Sequence, residues 1–140
     1  MTESKRKRPI AVWIIGILCI LTAISQLMSH STIISGRLEY EAQMQEYVNS
    51  WSLLDKVFPY ILSILLLASA VSLVAMKRKA LHLFGAYFVL VLLATIQHSI
   101  TTLWLDIYGS IGVFSVLVGI VLTGAIVWYV YRLSVRGDLT

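Results

Sequence analysis

Three consecutive cations, Lys77-Arg78-Lys79, separate two apolar runs, residues 57–76 and 80–104. Each run is long enough to cross a hydrocarbon layer about 30 Å thick as an α-helix. A short basic link between two such helices is a tight hairpin, and Lys and Arg are retained on the cytoplasmic side during membrane insertion. The rest of the chain is placed relative to that hairpin.

Two further apolar runs complete the set, so helices are predicted at about 9–28, 56–76, 80–105 and 109–133. Pro9 suits a first helical position, where its missing N–H is no loss. Asp55 is the expected N-cap of the second helix, and Pro59 then falls in its first turn without kinking it. The link between the last two helices is expected over residues 106–110. The predicted fold is all-α: a single four-span membrane domain over residues 1–140, an antiparallel bundle with a short amphipathic outer helix at about 38–54.

Composition agrees, with 59% hydrophobic and 13% charged residues where soluble proteins carry about 25% charged. The net charge of +4 does not make a nucleic-acid binder, because nine of the eleven basic residues flank the ends of apolar runs. The expected partner is the lipid bilayer, with a membrane-protein partner or a second copy as the further candidate. Residues 1–8, MTESKRKR, precede an apolar run in the manner of a secretory signal, but the run is nearer a full span, so an uncleaved first helix is expected.

Charge also orients the bundle. Lys5, Arg6, Lys7, Arg8, Lys77, Arg78, Lys79, Arg132 and Arg136 stand on the predicted inner side against Glu3 and Asp138, a balance of +7. Arg37 and Lys56 stand on the outer side against Glu39, Glu41, Glu46, Asp55 and Asp106, a balance of −3. Both termini are therefore expected in the cytoplasm. Trp51, Tyr60, Trp104 and Tyr108 mark the outer interface and Trp128, Tyr129 and Tyr131 the inner one. The absence of an Asn-x-Ser/Thr sequon fits a bacterial cytoplasmic membrane.

Two polar stripes are candidates for function. Thr22, Ser25, Gln26 and Ser29 follow the spacing i, i+3, i+4, i+7 in the first helix, with His30 next to them. Thr95, His98, Ser99 and Thr102 repeat that spacing in the third, with Asp106 one turn on. Both stripes fall in the outer half, and on helix three the same face turns apolar below, at Phe84, Phe88, Val91 and Leu92. Read as packing, they are interhelical hydrogen bonds worth about 0.6 to 2 kcal/mol each. Read as function, they line an outward-facing crevice between helices one and three, with His98 as its titratable group.

Other patterns point to contacts. Tyr40, Met44, Tyr47, Trp51 and Leu54 form one apolar stripe in the outer segment, a cover for the bundle or a surface for a partner. Gly112, Ser115, Gly119 and Thr123 run down one side of helix four, where small side chains let another helix approach; Ala68, Ser72 and Ala75 do so on helix two. The lone Cys19 excludes an intrachain disulfide, and among apolar neighbours it reads as packing. His30 and His98 are the one pair placed to share a metal or haem, but no i, i+4 histidines or embedded carboxylates support a ligand set, so neither metal nor cofactor is expected. No nucleophile motif, phosphate-binding glycine loop or paired carboxylates are present, and the chain is not expected to be an enzyme. The leading expectation is an accessory, assembly or regulatory subunit acting through contacts. The alternative is a small transporter or ligand-binding protein using the crevice.

Overall fold

The computed structural model describes residues 9–36, 48–101 and 104–139, and the side chains within them apart from 98–101, 104–108, 110 and 111. It consists of four helices, α1 (Ile10–Ile34), α2 (Leu53–Val74), α3 (Lys79–Thr101) and α4 (Trp104–Val135). All four are long and apolar enough to cross a membrane, α4 from Gly112 onward, which marks a multi-pass membrane protein. The expected outer helix falls mostly on residues outside this description.

The boundaries differ from expectation for local reasons. Pro9 is the N-cap of α1, its carbonyl accepting from the Val12 N–H at 3.0 Å. The helix continues past Met28, with Thr32 Oγ1 donating back to the Met28 carbonyl at 2.8 Å, and it stops where Gly36 takes φ +64°. Helix α2 starts at a capping box: Ser52 Oγ accepts from the Asp55 N–H at 3.2 Å while Asp55 Oδ2 accepts from the Ser52 N–H at 2.9 Å. Asp55 is thus the third residue of the helix, not its cap, and its charge still complements the helix dipole. Pro59 consequently lies in the second turn and has no N–H for the Asp55 carbonyl. Helix α4 is broken at Gly109 (φ 57°, ψ −161°), within the stretch where a turn was expected.

The α2–α3 link closes on Met76 at φ 56°, with the Lys77 N–H on the Ser72 carbonyl at 2.9 Å and the Met76 N–H on that of Leu73 at 2.8 Å. Gly137 closes α4 in the same way, the Asp138 N–H reaching the Leu133 carbonyl at 3.1 Å. Arg78 Nε donates to the Leu139 carbonyl at 3.3 Å, so the basic link and the segment after α4 share one end of the bundle. Val12, at the start of α1, joins the core there, which puts both described ends on that side.

Packing is sequential: α1 lies on α2, α2 on α3 and α3 on α4, while α1 and α4 barely touch. Among the described residues the apolar core lies in the half nearer Pro9 and Leu139, where Val12, Leu73, Ala80, Phe84, Val130 and Leu133 pack together with Cys19 and Ala23 at the upper edge. The close approach between helices is at Gly16, where an added Cβ would overlap Val74 Cγ2. On α2 the buried small residues are Ser63, Ser69 and Ala70, whereas Ala68 and Ala75 are exposed; the seam therefore runs along a different face from the one expected. Outside, Ile14, Ile17, Leu21, Leu117, Val121 and Leu122 are exposed, as side chains facing lipid are.

Candidate functional site

Above the core the four helices part around a cavity of about 530 Å³. Helix α1 contributes Ser25, Gln26, Ser29 and His30, and α3 contributes Tyr87, Val91, Ala94 and Thr95. The two polar stripes thus meet at one space, as far as Thr95 carries the second. The other two helices complete the wall, α2 with Phe58, Pro59, Leu62 and Ser63 and α4 with Val116, Gly119, Ile120 and Thr123. Thr22 is exposed on α1 and does not line it, being one turn below Ser25 and Gln26. The side chains of His98, Ser99, Thr102 and Asp106 lie outside the description.

The floor is Tyr87, a buried residue in a continuous apolar run with no periodic signal to single it out. Phe84, expected to close the crevice, is deeper and fully buried in the core, while Phe88 packs on Gly124 with its ring 3.7 Å from an added Cβ. Ser63, also missed, is buried and donates to the Pro59 carbonyl at 2.8 Å and to Gln26 Oε1 at 3.4 Å. Gln26 thus contacts α2 through Ser63 and shares the cavity wall with Tyr87 of α3.

The wall has a directional chemistry. Ser63, Thr95 and Thr123 each donate their hydroxyl hydrogen to the carbonyl four residues back, at 2.8 Å in every case, onto Pro59, Val91 and Gly119. Among the described residues no Asp, Glu, Lys or Arg lines the space.

An aromatic cluster flanks the cavity at the α1–α2 end. His30 stacks on Trp51 with centroids 5.4 Å apart at 17°, and meets the Tyr60 ring edge-on at 5.6 Å and 81°. Ser31 Oγ and the Tyr60 hydroxyl lie 3.3 Å apart. The His30 Nε2 is buried with no hydrogen-bond partner among the described residues.

The expected apolar stripe of the outer segment divides here. Trp51 is half-buried against His30, whereas Leu54 belongs to α2 and is exposed, because the capping box starts a new helix between them. Tyr40, Met44 and Tyr47 lie outside the described residues. On α4 the stripe of small residues makes no close helix contact at its centre: an added Cβ on Gly119 meets nothing within 4 Å, since that residue faces the cavity. Gly112 is half-buried, Ser115 is exposed, and Thr123 lines the same cavity.

These features define a polytopic membrane protein, a four-helix bundle packed in one half and hollow in the other. Comparison with known protein families, characterised proteins and solved structures gives no match.

Proposed function

We propose that the protein is a small ligand-binding protein of the membrane, whose working part is the cavity between its four helices and whose ligand is uncharged. The observation that carries this reading is the convergence of Ser25, Gln26 and Ser29 with Ser63, Thr95 and Thr123 around about 530 Å³. That volume is within the roughly 300–1,000 Å³ usual for small-molecule sites, and a few polar groups on a largely apolar wall are their usual lining. Among the described lining residues an ionised ligand finds no countercharge, and desolvating a lone charge is costly.

Native mass spectrometry of protein released from its own membranes tests the reading. The expected result is an uncharged small molecule bound to the wild type and lost in Gly119→Leu, whose side chain projects into the cavity. Identical spectra for both, free of any adduct, refute it.

By the positive-inside balance we place Pro9, the 77–79 link and Leu139 on the cytoplasmic side of a bacterial membrane, with the cavity in the outer half. A reporter active only outside the cytoplasm is then silent when fused after Thr140 and active when inserted after Gly36. A second reading, an accessory or regulatory subunit, draws on α4, where only Val130 and Leu133 are buried among the described helical residues. Crosslinking in cells from exposed positions of α4 to another membrane protein would favour it.

A further inference from the structure

The end of the bundle away from the cavity is strongly cationic. Lys77, Arg78 and Lys79 on the α2–α3 link, and Arg132 and Arg136 at the close of α4, are all exposed there. Asp138 is the acid at that end among the described residues, and it is half-buried. Topology accounts for the number of these cations, since Lys and Arg collect on the side where a chain is retained during insertion. It does not account for the way two of the arginines are held.

Arg78 is tied to the backbone. Its Nε donates to the Leu139 carbonyl at 3.3 Å, and Leu139 is itself buried in the core. The turn at Met76 sets the link that supplies the donor, and the turn at Gly137 sets the segment that receives it. The remaining N–H groups of this guanidinium belong to a side chain that stands exposed. Arg132 is held by a ring instead. Its Cζ lies 5.1 Å from the Trp128 centroid, over the face of the indole, a cation–π arrangement. Trp128 and Tyr131 are exposed, as rings that settle at headgroup level are. Val135, one turn on, adds an exposed apolar side chain. Both guanidiniums are thus restrained before any partner arrives, and a restrained planar fork suits the paired oxygens of a phosphate.

We propose that this end of the molecule is a docking surface for anionic phospholipid. Arg78 and Arg132 grip headgroup phosphates, and Lys77, Lys79 and Arg136 supply the surrounding field. Charge complementarity selects an anionic headgroup over a zwitterionic one. A lipid fits better than a free phosphate because Trp128, Tyr131 and Val135 offer an aromatic and apolar bed beside Arg132.

Native mass spectrometry tests this on the full chain in mixed micelles of phosphatidylglycerol and phosphatidylcholine, equal in amount and matched in acyl chains. The wild type is expected to retain phosphatidylglycerol roughly tenfold over phosphatidylcholine. That ratio falls about threefold in Arg78→Lys and again in Arg132→Lys, which keep the charge, and with it the insertion topology, but lose the planar fork. Lys77→Gln, which removes a charge and no fork, leaves most of the preference in place. Arg132 is exposed and rests on an exposed ring, so its variant reads the surface should Arg78→Lys fold poorly. Equal retention of the two lipids by the wild type overturns the proposal. So does a preference that both arginine variants leave intact, or one that falls most in Lys77→Gln, since undirected charge would then be its cause. Displacement of phosphatidylglycerol by millimolar inorganic phosphate overturns the lipid assignment, because the acyl chains would then add nothing.

Discussion

Two glycines with the same hydropathy and the same helical setting have opposite roles. At Gly16 a Cβ would overlap Val74 Cγ2, and a β-branched side chain in a helix has little rotamer freedom with which to yield. Gly16→Ala therefore destabilises by about 1–3 kcal/mol, although alanine favours a helix by about 1 kcal/mol over glycine. Val74→Ala in the same chain restores most of the loss, a coupling readable by a double-mutant cycle of thermal unfolding in detergent. Gly119→Ala gains up to about 1 kcal/mol, because nothing lies within 4 Å of the new methyl group. The sequence does not separate these cases. Gly119 stands in a run of small residues at helical spacing and invites a packing interpretation, and so does Gly16 with Cys19 and Ala23. What distinguishes them is the residue opposite, and a one-dimensional pattern carries no information about that.

At the scale of the element, start and stop chemistry rather than hydropathy sets the ends of α2. The apolar run shows where lipid begins, near Val57, but the helix begins at Ser52 because Ser52 and Asp55 satisfy one another's N–H groups. The Ser-x-x-Asp spacing was in the chain to be read, and Asp55 alone drew attention to itself by charge. Ser52→Ala is expected to cost about 1 kcal/mol and to fray the first turn, visible as faster amide exchange at Leu54 and Asp55. The three-residue displacement has a consequence at Pro59. Moved from the first turn to the second, it offers the Asp55 carbonyl no helical N–H. Beside this irregular turn the His30 ring of α1 rests on Trp51 and Tyr60. Helix α4 ends by the opposite device, with Gly137 at φ +72°. Gly137→Ala places a side chain in the left-handed region at a cost of about 1–2 kcal/mol, measurable as a lower melting temperature.

For the whole molecule, the decisive feature is an unequal division of packing along the membrane normal. Four spans are legible from hydropathy because every lipid-facing residue contributes to that signal, and the two polar stripes are legible because each belongs to one helix. Their meeting is not legible. It depends on α2 and α4 as much as on α1 and α3, and Tyr87, the floor, sits in an unbroken apolar run. The division predicts opposite sensitivities in the two halves. Phe84 is fully enclosed, so Phe84→Ala leaves a void and loses contacts on all sides, about 3 kcal/mol or more by analogy with soluble cores. Val116 already borders empty space, so Val116→Ala merely enlarges the cavity and costs under about 1 kcal/mol. Unfolding of the two variants in one detergent measures the contrast. Equal costs would mean that the upper half is as tightly filled as the lower. A hollow half sustained by a packed one is what lets a chain this short keep a cavity: among the described residues α4 is anchored by Val130 and Leu133 and packs on α3, with little contact to α1.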